Sequence, residues 1–297
     1  MRRSALVPAL CGLMCASAML AGCWNGRVLY AFEPPFLATL GNDTALRLSL
    51  AAAALDHGYA PSFSGGPAQD PVAVLQKEAS RGYSVVVVGP LLSFQWQQFV
   101  PAAPRTRFIL VDVPAPSVGA PVNAVFLTFD RTRAFRDAGR AAAAAIRASA
   151  EAGAAPFDLA QRIGVLAADG SGLAPEEAEA FTAGAAELLD GARPQGRTLP
   201  ALPDPEAVRG AVTQMRADGV RVFLLGLGQR DALGLEALRD SGGVAVVSDW
   251  EHSGPLPSQV FATVEEDVPG GIARALAAPP AMRLVEGPVR LVRGRKI

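Results

Sequence analysis

Cysteine is nearly absent from this chain of 297 residues, and the three present, Cys11, Cys15 and Cys23, all fall at its start. From residue 24 onward there is no thiol, which excludes a disulfide framework, a thiolate nucleophile and a cysteine metal site there. Histidine is almost as rare. His57 and His252 are the only two, too few and too far apart for a zinc site of common type. Lysine is confined to Lys77 and Lys296, so nearly all positive charge is arginine. The formal charge is −1, so no basic excess points to nucleic acid. No apolar run after residue 23 reaches the roughly 20 residues that span a bilayer. Paired carboxylates at a recognisable spacing and a Gly-x-Ser-x-Gly elbow are also missing. No enzyme, cofactor or metal is therefore expected.

What is present begins at the N-terminus. Arg2 and Arg3 precede an apolar run from Ala5 to Leu20, followed by Leu20-Ala-Gly-Cys23. A charged head, a short apolar stretch and small residues at a cleavage point make an export signal over residues 1–22. Cysteine after Leu-Ala-Gly resembles a bacterial lipoprotein signal, which implies that Cys23 carries lipid and becomes the first mature residue. A buried helix or a single membrane anchor is the other reading of the run, which is short for a span. Removing Arg2 and Arg3 takes the charge from −1 to −3. Residues 23–26 are left as a tether, and the protein is expected in the cell envelope, lipid-anchored and facing the periplasm or the exterior.

The remainder is 50% hydrophobic and 19% charged, a globular composition long enough for two domains. Short apolar strands alternate with helical stretches. In the first half, strands are predicted at 28–32, 60–63, 84–89, 108–111 and 125–129. Helices are expected from Asn42 or Asp43 to Asp56, from Asp70-Pro71 to Gly82, and from Asp130 to Ala150. The arginines of that last helix, at 131, 133, 136, 140 and 147, read as a solvated face. In the second half the same rhythm gives strands at 163–167, 198–202, 220–225, 244–247, 259–264 and 289–292. Helices fall between them at 175–189, 205–218 and 232–240, with another at 268–277. Continuous β-branched runs such as Ser84-Val-Val-Val-Val-Gly89 mark strands buried on both faces. The fold class is therefore α/β, with two doubly wound parallel-sheet lobes.

Several stretches together resemble the type I periplasmic binding proteins, and among them the basic membrane lipoproteins that act as purine nucleoside receptors. They are Ser84-Val-Val-Val-Val-Gly-Pro-Leu-Leu-Ser-Phe94, Arg107-Phe-Ile-Leu-Val-Asp112, Asn123-Ala-Val-Phe-Leu-Thr-Phe-Asp130, Ala134-Phe-Arg-Asp-Ala-Gly139, Arg162-Ile-Gly-Val-Leu166, Val246-Val-Ser-Asp249 and Ala262-Thr-Val264. The resemblance implies a first lobe of 27–128 plus 262–279 and a second of 129–261 plus 280–297, joined by a hinge of three crossings. It implies delivery of a nucleoside or a sugar to an ABC permease. Two departures stand out. Only Asn42 of the family's first-loop motif is kept, and Glu265, Glu266 and Asp267 stand where a basic residue is common. A non-transport sensor or interaction lipoprotein is the other function considered.

Ligands of open parallel sheets bind beyond the strands' carboxyl ends. The expected contacts are Phe32, Asn42, Phe94, Trp96, Asp112, Asp130, Phe135, Asp249 and Trp250, with Glu33, Phe36, Asp169 and Gly228 also at strand ends. Phe94 and Trp96, beside Gln95, Gln97 and Gln98, suit a sugar or nucleobase, because rings stack while amides hydrogen-bond. Trp96 could equally seal a short helix onto its lobe. Asp249 could accept ribose hydroxyls or cap a loop, and Asp112 could cap the next helix. Gly226-Leu-Gly-Gln-Arg-Asp231 is a broken glycine fingerprint, with Asp where Gly or Ala is needed, and no dinucleotide site is expected from it.

Overall fold

The computed structural model describes residues 25–33, 36–37, 43–64, 71–79, 81–150, 154–170, 173–248 and 257–294. The signal segment, Cys23, Asn42, Asp249 and Trp250 lie outside the described residues. The chain divides into two units, one of residues 25–128 with 268–287, the other of 129–267 with 288–294.

The first unit holds β1 (Gly26–Ala31), α1 (Asp43–Asp56), β2 (Tyr59–Phe63), α2 (Pro71–Ala79), β3 (Val85–Val88), the single turn α3 (Pro90–Ser93), β4 (Arg107–Val111) and β5 (Ala124–Phe129). Its sheet order is β11-β5-β4-β3-β1-β2, with β11 (Leu284–Gly287) supplied late in the chain. The strands from β2 through β5 pair in parallel. All four valines of β3 are buried, as expected of a strand covered on both sides. Leu29, Val86, Phe108 and Phe126 form the core under one face with Phe99 and Val100.

The second unit contains α4 (Thr132–Ser149), α5 (Pro156–Ala160), β6 (Ile163–Ala168), α6 (Pro175–Leu188), β7 (Gln195–Leu199), α7 (Pro205–Ala217), β8 (Val222–Gly226), α8 (Asp231–Ser241), β9 (Val244–Ser248) and β10 (Val260–Glu266). The next helix, α9 (Val268–Ala277), belongs to the first unit, and β12 (Val289–Arg293) closes the second. The second sheet, β12-β10-β9-β8-β6-β7, repeats the order of the first. β12 runs antiparallel to β10, and the other pairs are parallel. Alternate residues of β8 face opposite cores: Val222 and Leu224 join α4 and α6, while Phe223 and Leu225 join α7 and α8. That alternation is what a doubly wound sheet requires.

Two helices of the second unit touch backbone to backbone. A Cβ on Gly139 of α4 would lie 2.0 Å from the Phe181 carbonyl oxygen, and one on Gly184 of α6 would lie 2.0 Å from that of Arg136. Only glycine permits this approach. Gly139 stands on the stripe of Phe135, Ala138 and Ala142 that α4 turns to the core.

Three differences from the expected elements have physical causes. The expected lobes put 280–297 in the second and 262–279 in the first, yet Leu284–Gly287 extends the first sheet beside β5, where Phe126 N donates to Arg283 O, and residues 262–267 belong to the second unit. Only two of the four residues of β11 are buried, too weak a pattern to read. The strand expected at 198–202 lies at Gln195–Leu199, a mostly exposed edge paired from Gln195 opposite Gly164, and Pro200 cannot continue the ladder. Arg131 leaves the solvated face, and its side chain is only 13% exposed.

Candidate functional site

Parallel pairing brings the carboxyl ends of β1 through β5 to one edge of the first unit. There β1 passes into Phe32 and Glu33. Phe32 is buried, tilted against Tyr30 at 5.9 Å and edge-on to Phe36 at 5.4 Å. Tyr30 in turn stacks on Phe63 at 5.0 Å, and the Arg47 guanidinium lies 5.1 Å from the Phe63 ring centroid. The Tyr30 hydroxyl donates to Leu50 O at 2.7 Å, and burial holds its pKa far above the phenol range. Among these side chains remains a cavity of about 10 Å³, lined also by Leu37 and Ser64. That is room for about one water. Phe32 and Phe36 therefore build a packed aromatic wall.

Glu33 has a different environment. Its Oε1 accepts from Leu92 N at 2.5 Å, tying the end of β1 to α3. Its Oε2 is buried and has no hydrogen-bond partner among the described residues. Burial raises the carboxyl pKa, and the backbone hydrogen bonds at Glu33 and Leu92 oppose that rise. Gly89 makes the arrangement possible, since a Cβ there would stand 2.0 Å from Oε2. Gly89 N donates to Ala31 O at 3.0 Å, so the end of β3 and the turn into α3 wrap the carboxylate. An acceptor oxygen held this way lacks the donor that a buried carboxylate ordinarily has.

Phe94 follows α3 with its side chain in solvent, 61% exposed. Trp96 instead meets Phe126 edge-on at 5.8 Å and packs against the core, the sealing arrangement. Asp112 is exposed at the end of β4 with φ of 53°, a left-handed backbone for which Asp is among the more tolerant residues. Its N–H donates to Leu127 O.

In the second unit, Asp130 is exposed two residues before α4, and its Oδ1 accepts from Thr132 N at 3.0 Å. Phe135 is fully buried in the core, so it does not stand at a binding surface as expected. Asp169 is an exposed turn residue whose N–H donates to Leu199 O. The glycine fingerprint is a packed turn. The site of a Gly226 Cβ is filled by Leu173 Cδ2, 2.4 Å away, and Asp231 Oδ1 accepts from Leu227 N at 2.7 Å. Burial lifts the Asp231 pKa to about 6. Gly228 provides the positive φ, 60°, that this turn needs.

Nothing in the sequence marks Arg131 as a structural cation. It is bidentate on Glu177, with Nε to Oε1 at 2.6 Å and Nη2 to Oε2 at 2.8 Å, and its Nη1 lies 3.8 Å from Glu266. Glu177 Oε2 also accepts from Ala174 N at the start of α6. This cluster ties the starts of α4 and α6 to the end of β10, all within the second unit. A second cavity, about 380 Å³, lies along α4 and α6 and is lined by Arg136, Glu179, Thr182, Glu187 and Arg193. None of these residues is at a strand's carboxyl end. Among the described residues no group of three or more His, Cys, Asp or Glu could hold a metal ion. No described helix is long and apolar enough to cross a membrane.

No protein-family model matches the chain, and no curated protein does. Solved structures do match. An ABC transporter solute-binding protein from Conexibacter woesei superposes with a TM-score of 0.62 at 14% identity, over 90% of this chain and 89% of that one. This chain has the type I periplasmic binding protein fold. A periplasmic ribose ABC transporter protein from the same organism is similar at TM-score 0.60 and 16% identity, covering 91% and 92%. A transcriptional activator of the comK gene from Bacillus halodurans is similar at 0.61 and 16%, covering 92% of each chain.

Proposed function

We propose that this chain is a membrane-anchored solute-binding protein of an ABC transporter, with a nucleoside as its first-choice ligand. Cys23 is its anchor, and the solute is held at the carboxyl ends of the strands. The observation that carries this reading is the Glu33 carboxylate. One oxygen holds the chain together while the other stays buried and without a partner among the described residues at the site-forming edge. A ribose hydroxyl supplies the donor it lacks, and the exposed ring of Phe94 supplies a face for a base. A free sugar is the second reading, favoured by the likeness to a ribose transporter protein, since the same hydroxyl chemistry serves both.

Among the described residues the chain passes between units after residues 128, 267 and 287. The test is a thermal-shift panel of nucleosides and sugars on the chain from Trp24. A responding solute should bind Glu33→Gln about ten- to a hundredfold more weakly, the value of a hydrogen bond to a charged acceptor. A panel without any response contradicts the proposal.

A further inference from the structure

The amino-terminal ends of the first sheet, opposite Glu33 and Asp112, are rich in arginine. The residues entering its strands are 25–27, 57–59, 81–84, 101–107 and 121–124. The segment 278–284 lies at the same end, because Arg107 at the start of β4 donates to Ala278 O at 2.9 Å. Together these segments contain five arginines, at 27, 81, 105, 107 and 283, and no Asp or Glu. The nearest described carboxylate in sequence is Asp56, the last residue of α1. Arg27, Arg81 and Arg105 are exposed. The same segments carry three exposed large apolar side chains, Val122 at 79%, Leu284 at 54% and Met282 at 44%.

The chain also enters the fold at this end. Asn25 is fixed there, its N–H donating to Gly58 O at 2.7 Å and its Nδ2 to His57 O at 2.9 Å. Cys23 is two residues away in sequence, at most roughly 7 Å. A lipid on Cys23 would bring this end of the sheet against the bilayer.

We infer that the amino-terminal edge of the first sheet is a membrane-contact surface for anionic phospholipid headgroups. Its arginines pair with phosphates while Val122 and Met282 rest in the interfacial layer. The inference rests on the reading of Cys23 as a lipid anchor, but its test does not use the lipid. The chain from Trp24 keeps every described strand and helix and is mixed with sucrose-loaded vesicles. One set contains phosphatidylcholine with phosphatidylglycerol, and the other phosphatidylcholine alone.

Sedimentation should show binding to the anionic vesicles only, weakened by salt. Arg81→Ser with Arg105→Ser should reduce it about thirtyfold, about fivefold per arginine, while Arg239→Ser, exposed on α8 of the second unit, should leave it unchanged. If the double variant melts below the parent, Arg105→Ser alone reads the same surface at about fivefold. Equal binding to both vesicle types, binding to neither, or an equal loss with Arg239→Ser overturns the inference. So does displacement from vesicles by duplex DNA or RNA at lower concentration than by soluble phosphatidylglycerol. Failure of lipid labelling at Cys23 in cells would remove the anchor and leave the vesicle result standing.

Discussion

Gly184→Ala adds one methyl group at the closest helix contact in the second unit. Its Cβ would start 2.0 Å from the Arg136 carbonyl oxygen, where ordinary contact begins at 3.4 Å. The neighbour is backbone, so no side-chain rotation relieves the clash, and α4 and α6 must separate by about 1.4 Å. A gap of 0.5–1 Å already forfeits a quarter to a half of each dispersion contact across it. Phe135, Ala138, Phe181 and Ala185 all lie in this core. Overpacking typically costs about 1–3 kcal/mol, and this site belongs at or above the upper figure. Gly210→Ala is the matched control. It lies in α7 with open space around its Cβ, so it should gain about 0.5–1 kcal/mol from helix propensity. At roughly 2–4 °C per kcal/mol for domains of this size, calorimetry should show Gly184→Ala melting about 6–12 °C lower and Gly210→Ala slightly higher. Equal melting temperatures for the two variants would refute the glycine-mediated contact.

Other expectations follow from single side chains. Arg131→Met leaves Glu177 buried without its cation and should cost about 3–5 kcal/mol in urea unfolding, with Arg131→Met/Glu177→Leu recovering part of the loss. Asp231 binds its proton more tightly folded, at about 6, than in its reference state, at 3.8, so its contribution is most favourable below pH 3.8 and is lost as pH rises through 6. Asp231→Asn should therefore raise stability by up to about 3 kcal/mol at pH 7.5 and by little at pH 3.5; the same gain at both values would contradict the burial argument. Phe135→Ala should cost about 3–5 kcal/mol and Phe94→Ala less than about 0.5, while only Phe94→Ala should weaken solute binding at matched stability.

The strands that read well from sequence were those buried on both faces. Val85–Val88 and Val222–Gly226 are continuous apolar runs because helices cover each side. β11 was illegible because it buries only two residues and pairs with a strand far away in sequence. Position after a strand suggested Phe135 as a contact, but the helical spacing of Ala134, Phe135, Ala138, Ala142 and Ile146 already places it on the core face. Glu33 was visible as a charge after a strand. Its enclosure depends on Gly89 and Leu92, more than fifty residues on, and only the parallel pairing of β1 with β3 brings them together. Arg131 reads like its neighbouring helix arginines until Glu177, 46 residues later, is folded beside it.

A solute-binding chain must hold a small molecule. Native mass spectrometry of the chain from Trp24, purified without denaturation and then exchanged into nucleosides and sugars, measures this directly. One small molecule per chain, released on denaturation, is expected, with much weaker retention in Glu33→Gln. A bare chain mass after purification and after exposure to every member of the panel would contradict it.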